Sequence, residues 1–342
     1  MTVRSIRRKR NVLQAGFALA AFWLFGPIES SLAGRARHKP TFNPMALDLF
    51  TSGTLYLGQY ETGLYPRGKN EMPDPHRKAG ERIAATVRPL NVDGQPDGNG
   101  RIVGLALGHS NSRLYFSALQ DCLLKNADQL NPRFEFLNAA TAAQQLPEIR
   151  RLEGIVWDRA DRLLSNPGYR RKPLTGQPVL SRRQVQVLFL HTTYNTASAS
   201  RPPRPFPETM QKMQRDLAAV LEHCVSIYPN LSIAYLTCDG LRVFTGVEPH
   251  VWQEAFAFKW LIEGQIKGEE GTAFENNGGK KRTLPWLCWG PYIWDNTWDR
   301  SYFTDGVHPA PKAREIFVNK YWDQLRADST ARPWLFRPAS KK

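Results

Sequence analysis

The stretch from Ile102 to Tyr115, IVGLALGHSNSRLY, most constrains what this chain can fold into. Its continuous apolar run is too short for a helix and is typical of a strand buried on both faces of a parallel sheet. Gly108 ends the run, and four polar residues follow before leucines recur at helical spacing. A strand, a tight turn and a helix in this order lift a side chain to the carboxyl edge of an α/β sheet, where helix N-terminal amides stabilise anions. Ser110 lies at that turn, and we take it as the centre of a candidate active site.

Three further apolar runs, over 134–137, 185–190 and 231–236, predict strands that alternate with helices. The helices are predicted over residues 75–87, 148–165, 208–226, 252–267 and 312–325. This alternation predicts a single α/β domain in which helices cover both faces of a mainly parallel central sheet, a three-layer α/β/α architecture. Ligands bind such sheets beyond the carboxyl ends of the strands. We therefore expect Asn138, Asn195 and Asp239, which end or follow the other strands, at the same edge as Ser110.

Residues 1–33 have the order of a secretory signal peptide. Five basic residues within positions 4–10 precede an apolar run over 12–28, and Ser31 and Ala33 suit the −3 and −1 positions of a cleavage site. The alternative is an uncleaved membrane anchor, since the run is nearly long enough to span a bilayer. We favour the signal peptide because glycines and a proline weaken the run. The protein is therefore expected to be a secreted or periplasmic bacterial protein, with membrane contact only through an uncleaved leader.

The remaining chain divides into three parts. Residues 34–53 are predicted to be a tether, residues 54–330 to form the single domain, and residues 331–342 to be a C-terminal tail. The formal net charge is +15, and removal of the leader would leave +11. A basic exported protein meets acidic polysaccharides or anionic surfaces, although such a charge also serves solubility alone. The sequence contains no RNA-binding aromatic motif, zinc-finger spacing or basic recognition helix, so nucleic acid is not expected as a partner.

The chain has four cysteines, Cys122, Cys224, Cys238 and Cys288. None are in CxxC spacing, which argues against a zinc site. In an oxidising compartment four cysteines can form two disulfides, with three pairings open. They can equally remain buried free thiols, and the sequence does not decide between these alternatives.

A serine hydroxyl becomes a nucleophile when a base takes its proton. The best candidate for that base is His308, in the sequence DGVHP at 305–309. Asp305 precedes it by three residues on a turn that contains Gly306, so we expect the carboxylate beside the imidazole, as in a Ser-His-Asp triad. The alternative is a purely structural turn, in which His308 caps the last helix.

Four segments of the chain resemble, in order, the four sequence blocks of SGNH (GDSL-type) hydrolases. They are GHSNS at 108–112, NAATAAQ at 138–144, HTTYNT at 191–196 and DGVHP at 305–309. The chain looks more closely like a set of bacterial secreted proteins with an SGNH-like core. The shared features are a GLYP segment at 63–66, the Ser110-Asn111 pair and a WGPY segment at 289–292. This resemblance covers about residues 54–325.

The resemblance implies a flavodoxin-like SGNH hydrolase fold and a serine esterase that works without a cofactor through an acyl–serine intermediate. Ser110 would be the nucleophile, His308 the base and Asp305 its partner. The oxyanion would be held by the backbone N–H of Ser110, a backbone N–H at Ala143 and the side chain of Asn195. Such donors each lower the barrier by about 3 kcal/mol.

The chain departs from the family pattern at three positions. The first block has His109 where the family has Asp, the second has Ala143 where it has Gly, and Asn195 does not stand in a GxND sequence. Ala143 suits the family geometry only if its backbone avoids positive φ. These departures motivate an alternative function, a non-catalytic carbohydrate- or surface-binding protein on a degenerate SGNH core.

A third hypothesis is a metal-dependent hydrolase. Imidazoles and a carboxylate bind divalent metal ions, and several such side chains are expected at the same sheet edge. They are His109, His191, Asp239 and His308. The triad explains Asp305 and His308 without a metal, so our prediction contains neither metal nor cofactor.

The expected substrate is a small-molecule or carbohydrate-linked ester. Export and basic charge favour a carbohydrate ester such as an acetylated sugar, and four tryptophans in segment 286–298 could stack on sugar rings. The alternative is that these tryptophans are buried in the core. The side chains we expect to contact substrate are His109, Asn111, His191 and Trp289.

Overall fold

The computed structural model of the protein describes residues 46–50, 53–170, 172–175, 178–194, 205–239, 250–276, 281–295 and 297–337. The predicted signal peptide and most of the predicted tether lie outside these residues. Among the helices of the described ranges, none has the length and apolar character that a membrane span requires.

Parallel strands form the central sheet, preceded by a short antiparallel hairpin of β1 (Leu55–Tyr56) and β2 (Tyr60–Glu61). The sheet consists of β3 (Ile102–Gly108), β4 (Phe134–Asn138), β5 (Val185–His191), β6 (Ile233–Asp239) and β7 (Trp286–Ile293). Their spatial order is β4-β3-β5-β6-β7. Counted within the sheet, this is the order 2-1-3-4-5 of flavodoxin-like folds. The predicted α/β fold class is therefore confirmed.

Helices cover both faces of the sheet and complete the three layers. They are α1 (Asp74–Ala84), α2 (Ser110–Lys125), α3 (Leu146–Ile149), α4 (Ile155–Ser165), α5 (Glu208–Ile227), α6 (His250–Lys267), α7 (Pro311–Ala327) and α8 (Arg332–Leu335). Helices α4, α5 and α6 pack on one face, and α1, α2 and α7 pack on the other. Because both faces are covered, every residue of β3, β4, β5 and β7 is buried, as expected for parallel strands.

Strand β7 was not predicted from the sequence. Gly290 and Pro291 interrupt its apolar run, but β7 is an edge strand, where a missing N–H is tolerated. The four tryptophans between 286 and 298 are all buried, none more than 5% exposed, so they belong to the core. Trp289 packs against Phe258 and Tyr292 in the α5–α6 layer. This position removes Trp289 from the expected set of substrate contacts.

The compact unit extends beyond both predicted domain boundaries. Leu47, in the predicted tether, is buried, and its N–H donates to the hydroxyl of Tyr292 at 3.2 Å. Trp334 of α8 is also buried and packs against Phe134, with ring centroids 5.5 Å apart. The prediction of a C-terminal tail is therefore wrong for residues 331–337, because apolar side chains of α8 cover one edge of the core.

All four cysteines are free thiols. Cys224, Cys238 and Cys288 are buried, and Cys122 is half-buried. Burial raises the pKa of each of these thiols. They pack as small apolar residues, so the structure favours the free-thiol alternative.

Candidate active site

Ser110 is the first residue of α2 and follows β3 after one intervening residue. The residue is half-buried, and its hydroxyl makes no hydrogen bond with any residue that the structure describes. Its backbone N–H lies in the first turn of α2, where N–H groups lack intrahelical partners and favour anions. The strand order reverses between β3 and β5, so this turn lies at the topological switch point where α/β proteins bind ligands.

Ser112 and Gly108 fix the turn to the neighbouring strand. The Oγ of Ser112 donates to the carbonyl oxygen of His191 at 2.6 Å and accepts the N–H of His109 at 2.9 Å. Gly108 has φ 153°, and a Cβ there would lie 2.0 Å from the same carbonyl oxygen. Sequence reasoning missed Ser112, because the usual capping-box signature is Ser or Thr at the N-cap and Glu or Gln three residues later, whereas here His109 is the N-cap and Ser112 the third residue.

The ring of His308 and the carboxylate of Asp305 form a hydrogen-bonded pair. Nδ1 lies 2.7 Å from Oδ2, and Oδ1 accepts the backbone N–H groups of Val307 at 3.0 Å and His308 at 2.8 Å. Gly306, at φ 87°, provides the left-handed residue of this turn. Partial burial would raise the pKa of Asp305, but the hydrogen bonds outweigh it and lower the pKa to about 2. The carboxylate accepts a hydrogen bond from Nδ1–H, which leaves Nε2 to take a proton from a substrate or nucleophile.

The first turn of α2 lies against the turn that carries His308. Asn111, next to Ser110, donates from Nδ2 to the carbonyl oxygen of Val307 at 3.3 Å. Burial, followed by the neighbouring His191, holds the pKa of His109 well below its usual value. The residue after Ser110 therefore contacts the His308 turn, and the residue before it is buried beside His191.

Backbone hydrogen bonds bring the other two sequence blocks to the same place. Thr141 donates to the carbonyl oxygen of Gly108 at 2.9 Å, so the loop after β4 lies beside the Ser110 turn. Leu146 donates to the carbonyl oxygen of Thr193 at 2.9 Å, which joins that loop to the segment after β5. The four blocks therefore meet at one sheet edge, although Asn195 itself lies outside the described residues.

Ala143 has φ 58°, in the left-handed region. The condition under which alanine suits the family geometry at this position is therefore not met. An alanine in this conformation costs about 1–2 kcal/mol relative to its preferred conformations, because its Cβ crowds the following carbonyl. The second sequence block thus keeps the backbone conformation that glycine favours, although residue 143 is an alanine.

A second His–Asp pair lies beneath the Ser110 turn. Nε2 of His191 is 2.5 Å from Oδ1 of Asp239, and the rings of His191 and His109 have centroids 5.1 Å apart. Nδ1 of His191, Oδ2 of Asp239 and the hydroxyl of Tyr115 have no hydrogen-bond partner among the described residues. Because both imidazoles are buried, they support the turn from below and do not line an open substrate site.

The residues proposed as metal ligands do not converge on one point. His191 pairs with Asp239, whereas His308 pairs with Asp305 in a different turn. Within the described ranges, no group of three or more His, Cys, Asp or Glu side chains is placed to hold a metal ion. Asn111 is also buried, and its side chain contacts Val307, so the structure does not support the expected contact with substrate.

Comparisons with known proteins leave the function to be argued from the site. No family model matches the chain. No curated protein matches it either. Among solved structures, the chain is similar to a protein from Bacteroides fragilis provisionally assigned as an acylhydrolase. That similarity has a TM-score of 0.39 and 11% sequence identity, and it covers 76% of this chain and 100% of the other.

Proposed function

We propose that this protein is a serine esterase of SGNH type. The observation that carries the proposal is the Asp305–His308 pair, held against the first turn of the helix at whose start Ser110 has a free hydroxyl. In the proposed reaction, Nε2 of His308 takes the proton of Ser110 as Oγ attacks the carbonyl carbon of an ester. Asp305 stabilises the ring as it becomes positively charged.

The tetrahedral intermediate then collapses to an acyl–serine. The C–O bond to the alcohol breaks, and His308 returns its proton to the departing oxygen. Water attacks the carbonyl carbon of the acyl–serine while His308 takes a proton from that water. The bond from this carbon to Oγ of Ser110 then breaks, His308 returns the proton to Oγ, and the carboxylic acid leaves. The backbone N–H of Ser110 is one donor to the oxyanion, and the family resemblance adds Ala143 and Asn195.

We further propose that the substrate is a carbohydrate-linked ester that the protein meets after export. Support comes from the order of residues 1–33, which suits a signal peptide, and from the net charge of +11 that its removal would leave, which suits acidic polysaccharides or anionic surfaces. Cleavage after Ala33, read by N-terminal sequencing of the mature protein, tests the export proposal. A panel of short acyl esters and acetylated sugars identifies the acyl group and its acceptor.

The decisive test of the esterase is covalent labelling with a fluorescent fluorophosphonate, which reacts with activated serines. We expect the wild-type protein to be labelled at Ser110 and both Ser110→Ala and His308→Ala to be unlabelled. Ser226→Ala is the matched control, because Ser226 is an exposed serine near the end of α5, outside the candidate site. It should be labelled like the wild type.

Two results would point to the alternative functions. Absence of labelling, together with unchanged ligand binding in Ser110→Ala, would favour a non-catalytic binding protein. Ester hydrolysis that a chelator abolishes and an added divalent metal restores would favour the metal-dependent hydrolase.

A further inference from the structure

A cavity lies beside the candidate active site, along the edge strand β4. Its volume is about 520 Å³, and residues of α2, β4, α4 and the segment after α4 form its walls. Four basic side chains line it: Arg113, Arg159, Arg170 and Lys172. We refer to it as the basic cavity. Glu135 is the acidic residue of its lining.

Glu135 offsets part of this positive charge, since its carboxylate acts on Arg170 through space, but its hydrogen bonds go to other groups. Its Oε1 accepts the N–H of Leu174 at 2.9 Å, and its Oε2 accepts the N–H of Thr175 at 3.0 Å and the hydroxyl of Thr175 at 2.7 Å. Lys172 is paired with Asp121. The three arginines form no ion pair with any carboxylate in the part of the chain that the structure describes. The basic cavity therefore keeps a net positive charge, with four basic side chains against the carboxylates of Glu135 and Asp121.

Each of the three arginines has guanidinium N–H groups that make no hydrogen bond with a described residue. The guanidinium of Arg113 makes no hydrogen bond with any described residue and is exposed. Arg159 donates to the carbonyl oxygen of Asn138 at 3.3 Å and to the hydroxyl of Tyr169 at 3.2 Å, and no bond involves its Nη2. Arg170 is 4% exposed, and its Nη1 has no partner among the described residues. Planar guanidinium groups bind carboxylates through paired N–H donors.

The basic cavity begins one helical turn from Ser110. Arg113 stands three residues after Ser110 on α2, a spacing that puts Cβ atoms about 5–6 Å apart. Asn138, the last residue of β4, lines the cavity and donates to the carbonyl oxygen of Arg113 at 3.1 Å. The carboxyl end of β4 belongs to the same sheet edge as Ser110. The end of the basic cavity that Arg113 and Asn138 line therefore adjoins the Ser110 turn.

We propose that the basic cavity binds a carboxylate of the ester substrate, so that the substrate is an acylated acidic carbohydrate. This inference rests on the proposed esterase function and adds a substrate class to it. Tyr169 supports a carbohydrate over a small organic acid, because this residue is 37% exposed and lines the cavity. The guanidinium of Arg159 lies 5.6 Å from the centre of its ring on one side, so a sugar would stack on the opposite face. The unpaired arginines support an acidic sugar over a neutral one, because a carboxylate satisfies their free N–H donors.

The test measures the binding of trigalacturonate to Ser110→Ala protein by isothermal titration calorimetry at low salt. Without the nucleophile, binding is observed separately from turnover. We expect Arg113→Gln in this background to weaken binding about tenfold or more, as loss of a charged hydrogen bond does. Arg113→Lys should recover part of the affinity, because it keeps the charge but loses the planar fork. Arg215→Gln, which removes an exposed arginine from α5, is the charge-matched control and should keep the affinity.

Several outcomes would overturn the inference. One is equal affinity for trigalacturonate and neutral galactotriose, and another is equal affinity in the Arg113→Gln and Arg215→Gln proteins. Binding of inorganic sulfate in the cavity without binding of trigalacturonate would make it a site for free anions.

Fluorophosphonate labelling tests the proposed esterase separately from the basic cavity. Labelling without trigalacturonate binding refutes the basic-cavity inference alone, whereas binding without labelling refutes the esterase and leaves a protein that binds acidic carbohydrate.

Discussion

Nδ2 of Asn111 donates a hydrogen bond to the carbonyl oxygen of Val307 at 3.3 Å, across 196 positions of the sequence. This bond joins the first turn of α2, which begins with Ser110, to the turn that holds His308. The latter turn is well exposed, since the side chains of His308 and Asp305 are 37% and 58% accessible. Within the turn, the backbone N–H of Thr304 donates to the carbonyl oxygen of His308 at 2.8 Å, and Asn111 ties the turn to α2 without touching the reacting atoms.

Asn111→Ala should lower kcat about tenfold, because a loosely held base is misplaced relative to the nucleophile. It should lower the free energy of unfolding by about 1 kcal/mol, the usual worth of a hydrogen bond. Initial rates with 4-nitrophenyl acetate and urea unfolding measure the two effects. The control is Asn126→Ala, because Nδ2 of Asn126 donates to the carbonyl oxygen of Cys122 at 2.9 Å beyond the other end of α2. A loss of stability with unchanged kcat is expected there, and the same result for Asn111→Ala would contradict its positioning role.

The depressed pKa of Asp305 predicts a pH-dependent contribution to stability. The pKa is about 2 in the folded protein and has the ordinary value of 3.8 without these contacts. Because the folded value is the lower one, the contribution is present above about pH 4 and is lost as the pH falls towards about 2. Urea unfolding should therefore show a steeper loss of stability over this range in the wild type than in Asp305→Asn. Parallel pH profiles would contradict the assignment.

Asp305→Asn should also lower kcat about 10,000-fold at neutral pH, because an amide does not hold the imidazole in the required tautomer. Hydrolysis of 4-nitrophenyl acetate measures this loss. Asp299→Asn is the control, since Asp299 lies six residues earlier and its Oδ1 accepts the N–H of Ser301 at 2.8 Å. It should retain the wild-type rate, and comparable losses in the two variants would argue against a specific role for Asp305.

Ala143→Gly should increase the free energy of unfolding by about 0.5–1 kcal/mol. Relief of left-handed strain gains about 1–2 kcal/mol, and the greater freedom of glycine in the unfolded chain costs about 0.4–1 kcal/mol. The adjacent Ala142 is exposed and lies outside the left-handed region, so Ala142→Gly should lose about 0.5–1 kcal/mol. Denaturant unfolding of both variants checks the opposite signs, and a shift of the same sign in both would show that strain at Ala143 is negligible.

Gly108→Ala should destabilise the protein by about 3 kcal/mol or more, because the added Cβ has no space in the turn. It would lie 2.0 Å from the carbonyl oxygen of His191 and 2.3 Å from Oγ of Ser112, at a residue with φ 153°. Gly98→Ala is the control, since a Cβ there has nothing within 4 Å. Thermal unfolding should show a large loss for the first variant and a negligible change for the second.

The local pattern of apolar and polar residues predicted strands β3 to β6 of the central sheet and missed strand β7. Strands β3, β4, β5 and β6 were predicted because each is a short apolar run bounded by polar residues, as burial on both faces requires. Strand β7 and helix α8 were missed because their sequences contain proline, and tertiary packing decides whether such segments are ordered. Buried Trp334 shows that a short apolar segment near the end of a chain can complete the core.

The candidate site was predictable to the extent that it depends on local turns. The DGVHP sequence is enough to suggest that Asp305 lies beside His308, since three residues and a glycine separate them. The pairing of His191 with Asp239 was not predictable in this way. It depends on the alignment of β5 with β6, which places the ends of two distant segments together.

The free thiols of Cys122, Cys224, Cys238 and Cys288 have a consequence for how this protein matures. The layers of the fold are held together by apolar packing, so no covalent cross-link has to form before they assemble. The chain should therefore reach its final packing without a thiol oxidase or a disulfide isomerase. Because burial keeps the thiols of Cys224, Cys238 and Cys288 protonated, these three also react slowly with oxidants once the core has closed.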